Sequence, residues 1–296
     1  MHTPTAQGEQ GVRTILGLAA KARSGKDTTS HLLLKDGRVA AFALANPLKV
    51  GCQALFGLSE DEAWADEYKE CQIPLWGVSP REFFQQVGTE WMRGRDANHW
   101  LKRAEKEINP PLGQEHFTAM PDLTLADAPF RLAAQSFFNF TSHQVWEAAH
   151  FEIVDPYWGL SPKQAVAFLE QRALELDPEF YRKRTVRPVQ PPKALPALPR
   201  TAAVIVITDI RFENEAAFLR SHHGVIWHIV RPGVQLVNAH SSEAGIERKP
   251  EDIVIMNDGS LDQLEQRVES AWQQLVSTLP DPSESLPVSI PGKGEK

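Results

Sequence analysis

The chain has 296 residues, 42% of them hydrophobic, and a formal net charge of −7. That is enough apolar material for a sizeable core, in one large domain or a domain carrying an insertion. The acidic balance excludes a broad basic face for tracking a nucleic-acid backbone, so an anionic ligand must be met by a local cluster of positive groups.

Residues 1–11 are polar, lack the basic-then-apolar layout of a leader peptide and read as a loose tail. Thr14 to Ala19 is an apolar run that predicts a buried strand, followed by KARSGKDT and a helical pattern from Thr29 to Leu34. A short strand is expected at Val39 to Ala43, then mainly helix from Pro47 to Arg103, with turns at Ile73-Pro74 and Ser79-Pro80. Cys52 and Cys71 are too few for a disulfide framework and read as small buried apolar residues. Five prolines between 188 and 200 predict an extended linker. The β-branched run Ala202 to Ile207 suits a parallel strand buried on both faces. A helix from Glu213 to His222, a strand from Val225 to Val230 and a helix from Leu261 to Leu279 complete the alternation, and 280–296 reads as a second loose tail. No apolar run reaches the roughly 20 residues that a bilayer span needs.

The middle of the chain repeats itself. Pro47, Gln53, Phe56, Trp64, Glu70, Pro74, Trp76, Gly77, Ser79 and Pro80 recur, without a gap, as Pro129, Gln135, Phe138, Trp146, Glu152, Pro156, Trp158, Gly159, Ser161 and Pro162. After one deletion, Asp96 to Arg103 meets Asp177 to Arg184. The second copy has Phe151 for Lys69, Ala167 for Gln85 and Gln171 for Thr89, which predicts a copy without the polar chemistry of the first.

Four clusters carry chemistry. In AKARSGKDT, Gly25 lets backbone amides converge on phosphate oxygens, the following helix adds its positive end, and Lys26 supplies a mobile charge. The pattern departs from the usual phosphate loop: Ala20 replaces the first glycine and Asp27 stands where a hydroxyl normally meets magnesium, which leaves that contact to Thr28. Asp209 and Arg211 follow the strongest strand, where open α/β sheets bind ligands. Ser79-Pro80 starts a helix with Glu82 completing a capping box, and Arg81, Gln85, Thr89 and Arg93 follow four apart on one polar face. His240, Ser241, Ser242 and Glu243 form a fourth polar group, while the remaining histidines show no metal-ligand spacing.

With KARSGKDTT, ALANPLK, LFGLSEDEAW, GVSPREFFQQVGTEWMR, DIRFENEA, IVRPG, HSSE and MNDGSLDQL in this order, the chain resembles the deoxynucleoside monophosphate kinases of tailed bacteriophages. The resemblance implies an α/β fold with a parallel sheet of the nucleoside monophosphate kinase type, a helical substrate part, and magnesium- and ATP-dependent phosphorylation of deoxynucleoside monophosphates. It also implies production by a phage in the cytoplasm of its host. On the matched motifs Arg23, Ser24, Gly25, Lys26, Asp27, Thr28 and Thr29 would bind ATP, Thr28 and Asp209 magnesium, and Lys26, Asp209 and Arg211 would serve catalysis. Lys49, Arg81, Gln85, Thr89, Glu90, Arg93, Trp100, Glu215, His240 and Glu243 would face the acceptor. The expected division is 12–108 for phosphate loop and substrate module, 109–187 for a helical insertion repeating 44–103, 188–200 for the linker and 201–279 for the second half of the core. Two other readings stay open: a kinase for a hydroxymethylated pyrimidine in DNA or as a nucleotide, and a nucleotide-binding protein without catalysis. The partner is a small nucleotide, with DNA under the first of these readings, no membrane, and a homodimer allowed.

Overall fold

The computed structural model describes residues 13–21, 23–109, 119–192, 194–199, 201–208, 210–233 and 246–279. The tails expected at 1–11 and 280–296 lie outside them. In chain order the elements are β1 (Thr14–Ala20), α1 (Lys26–Leu33), β2 (Val39–Phe42), α2 (Ala45–Phe56), α3 (Glu60–Trp64), α4 (Pro80–Gln85), a π-helix (Gln86–Arg93) and α5 (His99–Ile108). Then follow α6 (Ala128–Phe138), α7 (Ser142–Trp146), α8 (Ala148–Phe151), α9 (Pro162–Leu176) and α10 (Phe180–Arg184). The last are β3 (Val204–Ile207), α11 (Glu213–Ser221), β4 (Val225–Val230), β5 (Ile253–Met256) and α12 (Leu261–Val276). Two compact units result, Met1–Ala41 with Leu198–Lys296, and Phe42–Ala197.

The first unit is a five-stranded parallel sheet in the order β2-β3-β1-β4-β5. Its central strand is β1, paired with β3 through Leu16 and Val206 and with β4 through Leu18 and Trp227. All four residues of β3 are buried, as a β-branched run between two helical layers must be. One face of the sheet packs Leu16, Leu18, Val206, Trp227 and Ile229 against Leu264, Val268 and Trp272 of α12. The opposite face is so close to α11 that a Cβ on Gly17 would stand 2.6 Å from Leu219 Cδ1. β5 escapes the sequence reading because its four residues sit inside a polar stretch and Val254 is exposed.

The second unit holds helices and, among the described residues, no named strand. Bonds at positions 82 residues apart recur within it. The Trp76 Nε1 donates to the Phe56 carbonyl at 3.0 Å, and the Trp158 Nε1 to the Phe138 carbonyl at 2.6 Å. Trp64 donates to Gln53 Oε1 at 3.4 Å, and Trp146 to Gln135 Oε1 at 2.7 Å. Ser59 and Thr141 cap α3 and α7, and Ser79 and Ser161 cap α4 and α9, each in a capping box. Gly57 and Asn139 end α2 and α6 in the left-handed region, where glycine and asparagine are the cheapest residues.

The last helices of the two halves are exchanged. His99 on α5 lies 4.9 Å from the Trp158 ring at 32°, and Phe180 on α10 lies 5.7 Å from Trp76 at 36°. Arg103 Nε donates to the Ser136 carbonyl at 2.7 Å, and Arg184 Nη2 to the Ala54 carbonyl at 3.2 Å. Between the halves α2 packs on α6, so tightly that a Cβ on Gly51 would meet Phe137 Cε1 at 2.0 Å.

Cys52 is buried, which raises its thiol pKa, but Cys71 is exposed, with its Sγ 3.3 Å from the Glu67 carbonyl. The expectation of two buried cysteines is corrected: Cys71 is exposed in a turn closed by its amide on the Tyr68 carbonyl, not in the core.

Burial holds the His99 pKa down to about 3 although its Nε2 meets the Phe137 carbonyl at 3.0 Å. In the unfolded chain the same ring takes its proton near pH 6.5. The stability this neutral ring contributes is therefore present above about pH 6.5 and is lost as pH falls toward 3, by up to about 1.4 kcal/mol per pH unit from this group. Denaturant midpoints measured from pH 7 to pH 4 should fall more steeply for the wild type than for His99→Phe.

Candidate functional site

The end of β1 turns into α1 through a backbone of alternating hand. Arg23 and Gly25 both adopt positive φ, 64° and 96°, on either side of Ser24, and such alternation turns successive backbone amides toward a common point. Gly25 is obligatory on a second ground: a Cβ there would stand 2.4 Å from Asn257 Nδ2. Gly25 begins α1, and no side chain caps this helix, whereas α3, α4, α7, α9 and α12 all carry capping boxes. The first-turn amides of α1, like those of α2, α5, α6, α8 and α10, meet no side-chain cap, and the positive end of the helix dipole lies behind them. Lys26 Nζ rests 3.1 Å from Asp27 Oδ1, a pair whose acidic partner is almost wholly exposed and hence easily given up. The Thr29 hydroxyl donates to the Gly25 carbonyl at 3.0 Å and stiffens the turn, while the half-buried Thr28 hydroxyl makes no hydrogen bond among the described residues.

Sequence reasoning missed the part played by Asn257. It follows β5, donates Nδ2 to the Ser24 carbonyl at 2.9 Å, and takes its own register from the Val230 carbonyl at 2.7 Å. It lies in MNDGSLDQL, a motif noticed for its order alone, because a single asparagine after a short strand announces no partner more than 230 residues away.

Arg211 follows β3, and its amide donates to Glu215 Oε2 at 2.8 Å, as does the Phe212 amide at 3.1 Å. Glu215 is buried and fixes the turn that presents Arg211. Asp209, His240 and Glu243 lie outside the described residues.

The remaining candidates belong to the helical unit. Lys49 lies over the rings of Trp64 and Phe84, 5.1 and 6.0 Å from their centroids. Its pKa is lowered by burial and then by the nearby Lys69. The Arg81 amide donates to the Lys69 carbonyl at 3.0 Å, and its guanidinium pairs with the exposed Glu70. Lys49, Lys69 and Arg81 thus lie near one another, with Asp66 and Glu70 as the acidic groups beside them. Lys69 entered the sequence reading as the residue that Phe151 replaces in the second copy, and was absent from the candidate residues. At the corresponding place in the second half, Arg131 lies 3.8 Å over the Phe151 ring and Lys163 pairs with Glu152 at 2.6 Å.

The polar stripe depends on the π-helix. Phe83, Val87, Gly88, Trp91 and Met92 are buried, whereas Arg81, Gln85, Thr89 and Glu90 are exposed and Arg93 is half-buried, a repeat of four. In an α-helix of 3.6 residues per turn each four-residue step overshoots by about 40°, so the stripe from Arg81 to Arg93 would drift by about 120°. The wider turn of a π-helix removes that drift. In α9 the buried residues are Pro162, Ala165, Val166, Leu169 and Ala173, of which Ala165, Leu169 and Ala173 match Phe83, Val87 and Trp91 of the first copy. The segment from Ser161 to Asp177 is one residue shorter than that from Ser79 to Asp96, and π-helices absorb an extra residue of this kind. Trp100 donates Nε1 to the Gly88 carbonyl at 3.1 Å and so braces the π-helix from α5. Gln85 and Glu90 border a cleft of about 400 Å³ that also takes in Glu82, Asp177 and the rings of Trp76 and Phe83.

Among the described residues no helix is long and apolar enough to cross a membrane. The family model for deoxynucleotide monophosphate kinase matches residues 191–268. A putative deoxynucleotide monophosphate kinase of Acanthamoeba polyphaga mimivirus is 24% identical over 273 residues, which cover 91% of this chain and 98% of that protein. The deoxynucleotide monophosphate kinase of Escherichia phage RB69 is 38% identical over 64 residues, 22% of this chain and 26% of the phage protein. That of Enterobacteria phage T4 is 33% identical over 70 residues, 24% and 29% of the two chains. By the family model over residues 191–268, and by a viral protein matched along almost its whole length, the chain is similar to deoxynucleotide monophosphate kinases.

Proposed function

We propose that the protein transfers the γ-phosphoryl group of ATP to the phosphate of a deoxynucleoside monophosphate. The observation that carries this reading is the uncapped start of α1, where Arg23, Gly25 and Lys26 present amides and a mobile charge to an anion. The names of the relatives support the nucleotide as acceptor.

In this reading Arg23 to Thr29 hold the ATP phosphates, with Lys26 leaving Asp27 to follow the charge that spreads over the transferred group. Magnesium suits the donors available, since Thr28 and Asp209 offer oxygen and a hard cation takes oxygen ligands. When bound, it neutralises the phosphate oxygens that the loop amides cradle. Lys49, Lys69, Arg81 and Arg93 neutralise the acceptor phosphate, and Gln85, Thr89 and Glu90 meet the nucleoside along the straightened stripe. Arg211, whose turn Glu215 fixes, is the candidate to add charge to the transition state, His240 and Glu243 are further candidates for acceptor contact, and Trp100 acts through the π-helix it braces.

The unit 109–187 is a diverged copy of 44–103, retained for its core and without the acceptor chemistry of the first. The recurring tryptophan hydrogen bonds support the copying, and Arg131 stacked on Phe151 supports the loss.

ADP release against each deoxynucleoside monophosphate, with a DNA duplex as the alternative acceptor, tests the reading. Release is expected with at least one free nucleotide. Phosphorylation of the duplex alone, or ATP binding without release, would overturn it. Arg81→Ala should raise the acceptor KM by roughly ten- to a hundredfold, the cost of about 1.5–3 kcal/mol for a charged contact, and leave the ATP KM within a factor of two or so. A raised ATP KM with an unchanged acceptor KM would assign Arg81 to the other substrate.

A further inference from the structure

The second half of the helical unit carries a set of side chains that its fold does not require. His143 sits on α7, Glu147 joins α7 to α8, and His150 sits on α8. One donor atom from each lies within 4.8 Å of the other two. His143 Nδ1 is 2.7 Å from Glu147 Oε1, and the two imidazole rings are 3.8 Å apart at 39°. All three residues are half-buried, so a ligand could reach them while their stems are held by the protein.

The backbone fixes their spacing. The Glu147 amide donates to the His143 carbonyl at 3.3 Å, and the His150 amide to the Glu147 carbonyl at 3.0 Å. The capping box of Thr141 and Gln144 locks the start of α7 one turn before Glu147. A helix break at Glu147 then brings His150 back beside His143, which is why the spacing along the chain, unlike that of two histidines one turn apart, gives no sign of a site.

The first half is the control. At the equivalent positions it has Asp61, Ala65 and Tyr68, and α3 forms there with the same kind of capping box. The backbone frame therefore stands without the two histidines and the glutamate. An ion pair between His143 and Glu147 would account for two of the three residues but not for a second imidazole stacked beside the first.

We propose that His143, Glu147 and His150 bind one divalent transition-metal ion of the zinc type. Two imidazole nitrogens and one carboxylate oxygen are the donor set such ions take, with the remaining position open to water or to a group from outside. Magnesium, which prefers six oxygens and keeps its water, is a poor match, so the site is separate from any metal that accompanies ATP. The reading does not depend on the proposed kinase activity.

Titration calorimetry with zinc chloride, on the full chain without an affinity tag, tests it. About one equivalent of zinc is expected to bind, with millimolar magnesium failing to compete, and cobalt should give the visible absorption of a low-coordinate complex. His143→Ala and His150→Ala should each weaken zinc binding by about tenfold or more, while the metal-free melting temperature stays close to that of the wild type because both side chains are half-exposed. An absence of stoichiometric binding, or binding that survives in His143→Ala/His150→Ala, would overturn the proposal. Zinc that binds only weakly and is displaced by magnesium would do so equally.

Discussion

Lys26→Ala is expected to lower turnover by roughly 10²–10³-fold, or about 2.7–4 kcal/mol of transition-state stabilisation, with the fold unchanged. Among the described residues the Lys26 side chain touches one partner, the exposed Asp27, so its loss removes nothing from the core. What disappears is a charge already placed at the uncapped start of α1, where the amides alone would have to carry the phosphates. Steady-state ADP release, checked against an unaltered circular dichroism melt, measures the effect. Turnover within about threefold of the wild type in a folded protein would remove the phosphate loop from the mechanism.

Trp158→Ala is expected to cost about 3–5 kcal/mol of stability, a third or more of the margin of an ordinary domain. Trp158 is buried against Phe138 at 5.3 Å and His99 at 4.9 Å, and its indole satisfies the Phe138 carbonyl. The substitution opens a cavity and leaves that carbonyl buried and unpaired, two costs that add. Trp76→Ala should match it, since Trp76 makes the same bond to Phe56 and packs on Phe180. Urea midpoints for the two variants measure both. A loss of less than about 1 kcal/mol for Trp158→Ala would mean that the second half is peripheral to the core.

The fold was legible where burial and chemistry agreed. β3 was found because a β-branched run between helices has one physical solution, and β4 because its six residues form a largely apolar run after the preceding helix. β5 was missed because pairing with β4, rather than its own pattern, makes it a strand. The strand, glycine turn and helix at β1 and α1 could be read because their residues are adjacent in sequence. Asn257 could not, since its function exists only once β5 lies beside β4 and brings an amide to Ser24. The four-residue stripe was visible, but reading it as an α-helix face hid its cost. The π-helix supplies what the spacing demanded. The histidine pair was invisible for the opposite reason: a helix break, not a period, brings the two rings together.

The exchange of last helices also bears on how the chain is made. During synthesis the segment through α5 emerges first, with Trp76 and Phe56 complete but with Phe180, the ring that packs on both, still about 70 residues behind Ile108 in the chain. Closing so long a loop costs only slightly more entropy than closing a short one, yet the contact cannot form before its second partner exists. The early half must therefore wait as a partly open intermediate with aromatic surface uncovered, a species prone to stick to its neighbours. The same reciprocity makes the repeat impossible to excise as a cassette. A chain shortened by residues 109–187 would lose Phe180 and Arg184 from its first half while stranding Arg103 without the Ser136 carbonyl that it holds.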